Sequence, residues 1–259
     1  MAFGPENRYA MGGVAVPRAD QAALDVGLRK YMLGVYNYMA SGLLLTGVIA
    51  LVVATTPSLS ALFWQAVPTP RGVAIAPTIL GWAAMLSPLA FILVLSFGIN
   101  RLSASTAQLL YWLFAAAMGL SLSNIFLIYT GASVARVFFI TAGMFAAMSI
   151  WGYTTQRDLT KMGSFLMMGL FGIIIASLVN IFIASSALQF AISIIGVVVF
   201  VGLTAWDTQR IKNDYVSYAY AEGTEVAAKR SVFDALALYL NFINLFMLML
   251  QFMGVRQQD

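Results

Sequence analysis

Seven stretches of about 20 apolar residues, separated by short connections, account for most of this chain. They cover residues 32–54, 78–99, 106–129, 134–154, 163–184, 188–207 and 232–253. A helix needs roughly 20 apolar residues to cross the hydrocarbon core of a bilayer, where every backbone polar group must be satisfied within the chain. The pattern predicts an all-α polytopic membrane protein with seven transmembrane helices. Composition agrees: 9% of the residues are charged, whereas soluble domains carry roughly 25%. Three regions follow: a cytoplasmic N-terminal tail over 1–30, a seven-helix transmembrane domain over 31–254, and a C-terminal tail over 255–259. Within the first region Asp20 is expected to cap a short amphipathic helix at the membrane interface, with Leu24, Leu28 and Tyr31 on one face. No signal peptide is expected, because the first apolar run continues into a full span.

The connections set the orientation. Eleven of the 14 Lys and Arg residues fall in the tail and the even-numbered connections; Arg71, Arg136 and Arg256 fall on the other side. The positive-inside rule places the N-terminus in the cytoplasm and, after seven spans, the C-terminus outside. Small residues predict close helix packing at Gly143 with Ala147, and along the fifth span at Gly163, Gly169 and Gly172.

The chain has no histidine and no cysteine. Imidazole chemistry, thiolate nucleophiles and most zinc sites are excluded, and any response to pH falls to carboxylates. Rhomboid-type proteolysis, which needs a Ser–His pair, is excluded as well. A retinal Schiff base needs a mid-span lysine, and Lys30, Lys161, Lys212 and Lys229 all read as connection residues. Aspartyl intramembrane proteolysis needs two acids deep in spans, whereas Asp207 and Asp234 read as lying at span edges. The expectation is a protein that is not an enzyme and carries no resident cofactor.

Among the 10 acidic residues, Asp207 stands apart. It closes the apolar run Gly196-Val-Val-Val-Phe-Val-Gly-Leu-Thr-Ala-Trp. An ionised Asp at a span's centre costs about 2.5–3.5 kcal/mol on insertion scales, and less toward the ends. A position at a helix C-terminus would add an unfavourable macrodipole. An acid kept against both is a candidate functional group. The last span carries Asp234, Asn241 and Asn244. Asp234 and Asn241, seven apart, share a helix face, and both amides are expected to turn inward and line a polar path with Asp207. They serve equally well as structural hydrogen bonds between helices. Ser121, Ser123, Asn124 and Asn180 read as structural, and the connection 152–161 reads as a solvated turn and helix cap. Arg101 follows the second span directly; it is either a snorkelling cation or an ion-pair partner of Asp207.

Three segments carry a resemblance: Gly119-Leu-Ser-Leu-Ser-Asn-Ile-Phe-Leu-Ile-Tyr-Thr-Gly-Ala-Ser, Gly202-Leu-Thr-Ala-Trp-Asp-Thr-Gln-Arg-Ile-Lys, and Leu238-Tyr-Leu-Asn-Phe-Ile-Asn-Leu-Phe. Together they resemble the bacterial branch of the Bax inhibitor-1 (TMBIM) family, over most of residues 20–254. The resemblance implies six helices around a central seventh in the bacterial inner membrane. For some members it also implies a pH-sensitive calcium leak, in which two aspartates share a proton and an arginine latches one of them. Asp207 then stands as gate and pH sensor, and Arg101 as the latch. The family's last motif usually has Asp where this chain has Asn241, and a small residue where it has Asp234. Two adjacent carboxylates resist ionising together; with Asn241 that coupling is removed, and Asp234 becomes the substitute acid, about 10 Å along the helix.

The leading expectation is a calcium or other cation leak. Asp207 and Asn241 supply hard oxygens suited to calcium as the permeant ion and as a weak metal site at Asp207. The alternative is a regulatory membrane protein that binds a membrane-anchored AAA protease through its tail, as the resemblance implies for some bacterial relatives. Besides the lipid bilayer, the expected partners are thus a cation or a membrane-bound protease, with no nucleic acid.

Overall fold

The computed structural model describes residues 18–69, 72–98, 102–219 and 223–257. Among these, seven helices are long and apolar enough to cross a membrane, as the hydropathy pattern requires. Helix α1 (Arg18–Thr55) leads into a short α2 (Pro57–Phe63) and a hairpin of β1 (Trp64–Thr69) and β2 (Gly72–Pro77). The chain then crosses in α3 (Ile79–Gly98) and α4 (Ala104–Leu122), with a one-turn α5 (Ile125–Ile128) completing the third span. Helices α6 (Gly131–Thr154), α7 (Thr160–Ile183), α8 (Ser186–Ala219) and α9 (Gly223–Met253) follow.

Helix α9 is the most buried of the spanning helices. Its main packing partners are α8, α1, α6 and α4, whereas α3 packs chiefly on α4 and α7 on α8. On α9, Leu238, Tyr239 and Leu245 are fully buried. Tyr239 donates to or accepts from Thr46 Oγ1 at 2.7 Å, and Thr46 also donates to the Ala115 carbonyl at 2.8 Å, which ties α1, α4 and α9 together.

Helix extents differ from the hydropathy boundaries. Residues 20–31 form no separate interfacial helix: α1 is one helix of 38 residues, starting before Asp20, with Leu24 and Leu28 buried inside the bundle. Helix α8 runs 12 residues past Asp207, so this acid is not at a helix C-terminus and the macrodipole argument does not apply to it. The continuation is held by packing, with Ile211 and Val216 buried. Lys212 is likewise helical rather than in a connection; its ammonium donates to the Tyr153 carbonyl at 2.8 Å and lies over the Tyr153 ring.

The hairpin has no counterpart in the sequence reading. A two-stranded ribbon is marginal alone, and this one is anchored from outside: Trp64 Nε1 donates to Ser123 Oγ at 2.7 Å where α4 ends. Ser123 itself bonds back to the Leu120 carbonyl, as expected of a serine inside a span. Residues 255–257, read as a tail, are fastened at the same end of the bundle. Arg256 bridges to Tyr129, and the Val255 amide donates to Ser133 Oγ. At the opposite end, Asp158 accepts from both the hydroxyl and the amide of Thr160, which open α7. These bonds hold the exposed Asp158 carboxyl below the usual carboxylate range, and the turn is shorter than the connection read over 152–161, running over 155–159 with Leu159 buried. Gln209 clamps it to α8, accepting from the Leu159 amide and donating to the Arg157 carbonyl, both at 2.8 Å.

Candidate functional site

Asp207 lies where α8 crosses α9, and is 6% exposed. Each of its oxygens is held by one donor. Asn241 Nδ2 on α9 donates to Oδ2 at 2.7 Å. Arg210 Nη2, three residues along α8 and therefore on the same helix face, meets Oδ1 at 2.6 Å. The Arg210 guanidinium also lies over the Trp206 ring, 5.1 Å from its centroid. The carboxylate thus clasps α8 to α9 through Asn241 and is neutralised within its own helix.

The second acid on α9, Asp234, is linked to α1: the Tyr31 hydroxyl donates to its Oδ2 at 2.5 Å. Tyr31 stacks at 4.7 Å on Tyr215 of α8. Tyr36 and Thr208 complete the polar surface between α1 and α8, with their hydroxyls 3.4 Å apart.

Of the residues singled out in the sequence, Asp207 and Asn241 meet between α8 and α9, and Asp234, on the same helix as Asn241, is turned inward to Tyr31 of α1. Asn244 is not: three residues fall about 60° short of a full turn, and its side chain is exposed rather than turned inward. Arg101 lies outside the described residues, so the latch assigned to it has no geometry here. The cation that meets Asp207 is Arg210, which the i,i+3 spacing alone could have indicated. Asn241 turns its amide nitrogen toward Asp207, so the two residues do not offer oxygens to a shared cation in this arrangement. Among the described residues no group of three or more acids is placed to hold a metal ion.

The small residues divide as well. A Cβ on Gly163 would meet the Trp206 ring at 2.2 Å, one on Gly169 would meet Val199 at 3.1 Å, and one on Gly152 would strike the Ala205 carbonyl at 2.2 Å. These glycines set the approach of α7 and α6 to α8, the helix that carries Asp207. Gly143 and Gly172 meet nothing, and Gly143 and Ala147 face outward, contrary to the expected packing role.

Seven helices long and apolar enough to cross a membrane, two of them joined by a carboxylate that an amide and a guanidinium hold, define a multi-pass membrane protein with an acid-bearing interface at its most buried helix. The family model described as inhibitor of apoptosis-promoting Bax1 matches residues 28–258, and the chain belongs to this Bax inhibitor family. It is 50% identical to the uncharacterized protein RP147 of Rickettsia prowazekii over 90% of this chain and 92% of that one. It is 44% identical to the inner membrane protein YbhL of Escherichia coli over 93% of this chain and 98% of that one. An uncharacterized protein of Caulobacter vibrioides is 43% identical, covering 96% and 97% of the two chains.

Proposed function

We propose that this protein is a pH-responsive leak for calcium or a similar cation in the bacterial inner membrane, with Asp207 as the proton-sensitive gate. The location rests on the E. coli relative, which is named an inner membrane protein. One observation carries the gating: both groups that hold Asp207 are donors, Asn241 through its amide N–H and Arg210 through its guanidinium. An ionised carboxylate accepts from both. A protonated one turns one oxygen into a donor and loses the charge that holds Arg210. Protonation therefore loosens the α8–α9 clasp, and acid opens the path. The role is conduction, with no bond chemistry and no resident cofactor.

The test is calcium efflux from vesicles reconstituted with the purified chain, followed against pH. The wild type is expected to leak faster as pH falls. Asp207→Asn, which keeps the shape and removes the proton switch, is expected to leak at all pH values. A pH profile unchanged in Asp207→Asn would overturn the gate. Vesicle flux that survives deletion of residues 1–19 while a cellular phenotype is lost would favour the protease-binding alternative.

A further inference from the structure

A cavity of about 1080 Å³ runs along the bundle between α1 and α6, with Phe242, Ile243 and Phe246 of α9 in its lining. It reaches from Arg29 to Leu51 on the α1 side, which is about 33 Å of helix, close to the thickness of a bilayer's hydrocarbon core. Its wall is apolar except at Thr46, whose hydroxyl is bonded within the bundle, and at one end. There it is lined by Arg29, Tyr36, Ser149 and Tyr153. Ser149 Oγ is buried and has no hydrogen-bond partner, although the residue is only 5% exposed. Mid-helix serines ordinarily bond back to their own helix; this one does not, and its oxygen is enclosed behind the groove wall.

Charge at the polar end is biased one way. Arg29 and Lys30 are exposed on α1, and Arg157 and Lys161 are exposed or half-exposed across the bundle at the same end. Opposing them are the exposed Asp25 and Asp158. Shape narrows the occupant further. A transmembrane helix is about 10 Å wide and 30 Å long, and would need roughly twice this volume. Slender hydrocarbon chains fit where a helix does not.

We infer that this groove holds one phospholipid with an anionic headgroup, its acyl chains inserted between α1 and α6. Arg29 meets the phosphate, and Tyr36 faces the glycerol ester region below it. Arg29 lies about 10 Å outward of Tyr36 along α1, which matches the order of headgroup above ester. The lipid completes the wall of the bundle on the side where α1 and α6 leave α9 uncovered.

The test is native mass spectrometry of the full chain released from nanodiscs of phosphatidylcholine containing a minority of phosphatidylglycerol. Wild type is expected to keep one phosphatidylglycerol per chain, enriched at least several-fold over its share of the bilayer. Arg29→Ala is expected to lose the headgroup preference while still retaining a lipid, and Arg29→Lys to keep it. A Cβ on Gly47, which lines the groove, meets nothing within 4 Å; Gly47→Leu fills the groove without an internal clash and is expected to remove the adduct. Gly143→Leu, equally open but outside the groove, is expected to retain it and controls for folding. Adducts at bulk composition, or full retention in Gly47→Leu, would overturn the inference. A dimer mass in place of the lipid adduct would overturn it in favour of a second copy.

Discussion

At Asp207 the arrangement of donors decides how the site responds to a substitution at Asn241. Replacing that amide by an acid puts two carboxylates at hydrogen-bonding distance, where one proton between them is favoured over two full charges. Asn241→Asp is therefore expected to carry calcium flux to higher pH than the wild type, read as a shifted midpoint in the vesicle assay; no movement would show that Asn241 does not bear on the gate. The acid at 207 and its amide partner were legible in the sequence, because both are costly in apolar helices and must find each other. Arg210 was legible in principle from its spacing, yet Arg101 drew attention as a cation at a span end. The Tyr31–Asp234 bond was not legible. It joins residues 203 apart, and no local pattern encodes that distance.

Helices were read from hydropathy with little loss, since a span of 20 apolar residues has few alternatives in lipid. Their ends were not. Hydropathy stops reporting where a helix leaves the apolar core, so the water-side turns of α1, α8 and α9 were invisible to it. Glycine spacing was a half-reliable guide because it marks where close approach is permitted, not where it occurs. Gly152 and Gly143 on α6 separate the two cases. Gly152→Ala is expected to lower stability by at least 1–3 kcal/mol, since the added carbon meets backbone that cannot rotate away. Gly143→Ala, facing open space, is expected to be neutral or stabilising by up to about 1 kcal/mol. Thermal unfolding in detergent distinguishes them. The end of α7 supplies a third substitution: Ala184 has φ 53°, a left-handed conformation that costs a non-glycine residue about 1–2 kcal/mol. Ala184→Gly is expected to raise the melting temperature, and an unchanged or lower value would show that the residue is not strained.

Across the whole molecule, one asymmetry orders the rest. The hairpin and residues 255–257 brace one end with backbone pairing, while charges and long helical extensions gather at the other. The positive-inside rule assigns the charged end to the cytoplasm. The absence of cysteine makes the assignment directly measurable, because each introduced thiol is unique. In intact cells, an impermeant maleimide is expected to label Gln65→Cys on the hairpin and to spare Gln156→Cys in the α6–α7 turn until the membrane is opened. The reverse pattern would invert the topology. Orientation was legible only as a count of charges, and the bracing was not legible at all, since it depends on which short segments pair, and no local pattern encodes that. The extension of α8 beyond Asp207 has a mechanical meaning. Twelve residues make a rigid arm of about 18 Å, and a tilt of 10° at the acid displaces its tip by roughly 3 Å. Protonation where α8 meets α9 would thus be transmitted along α8 as the swing of a lever.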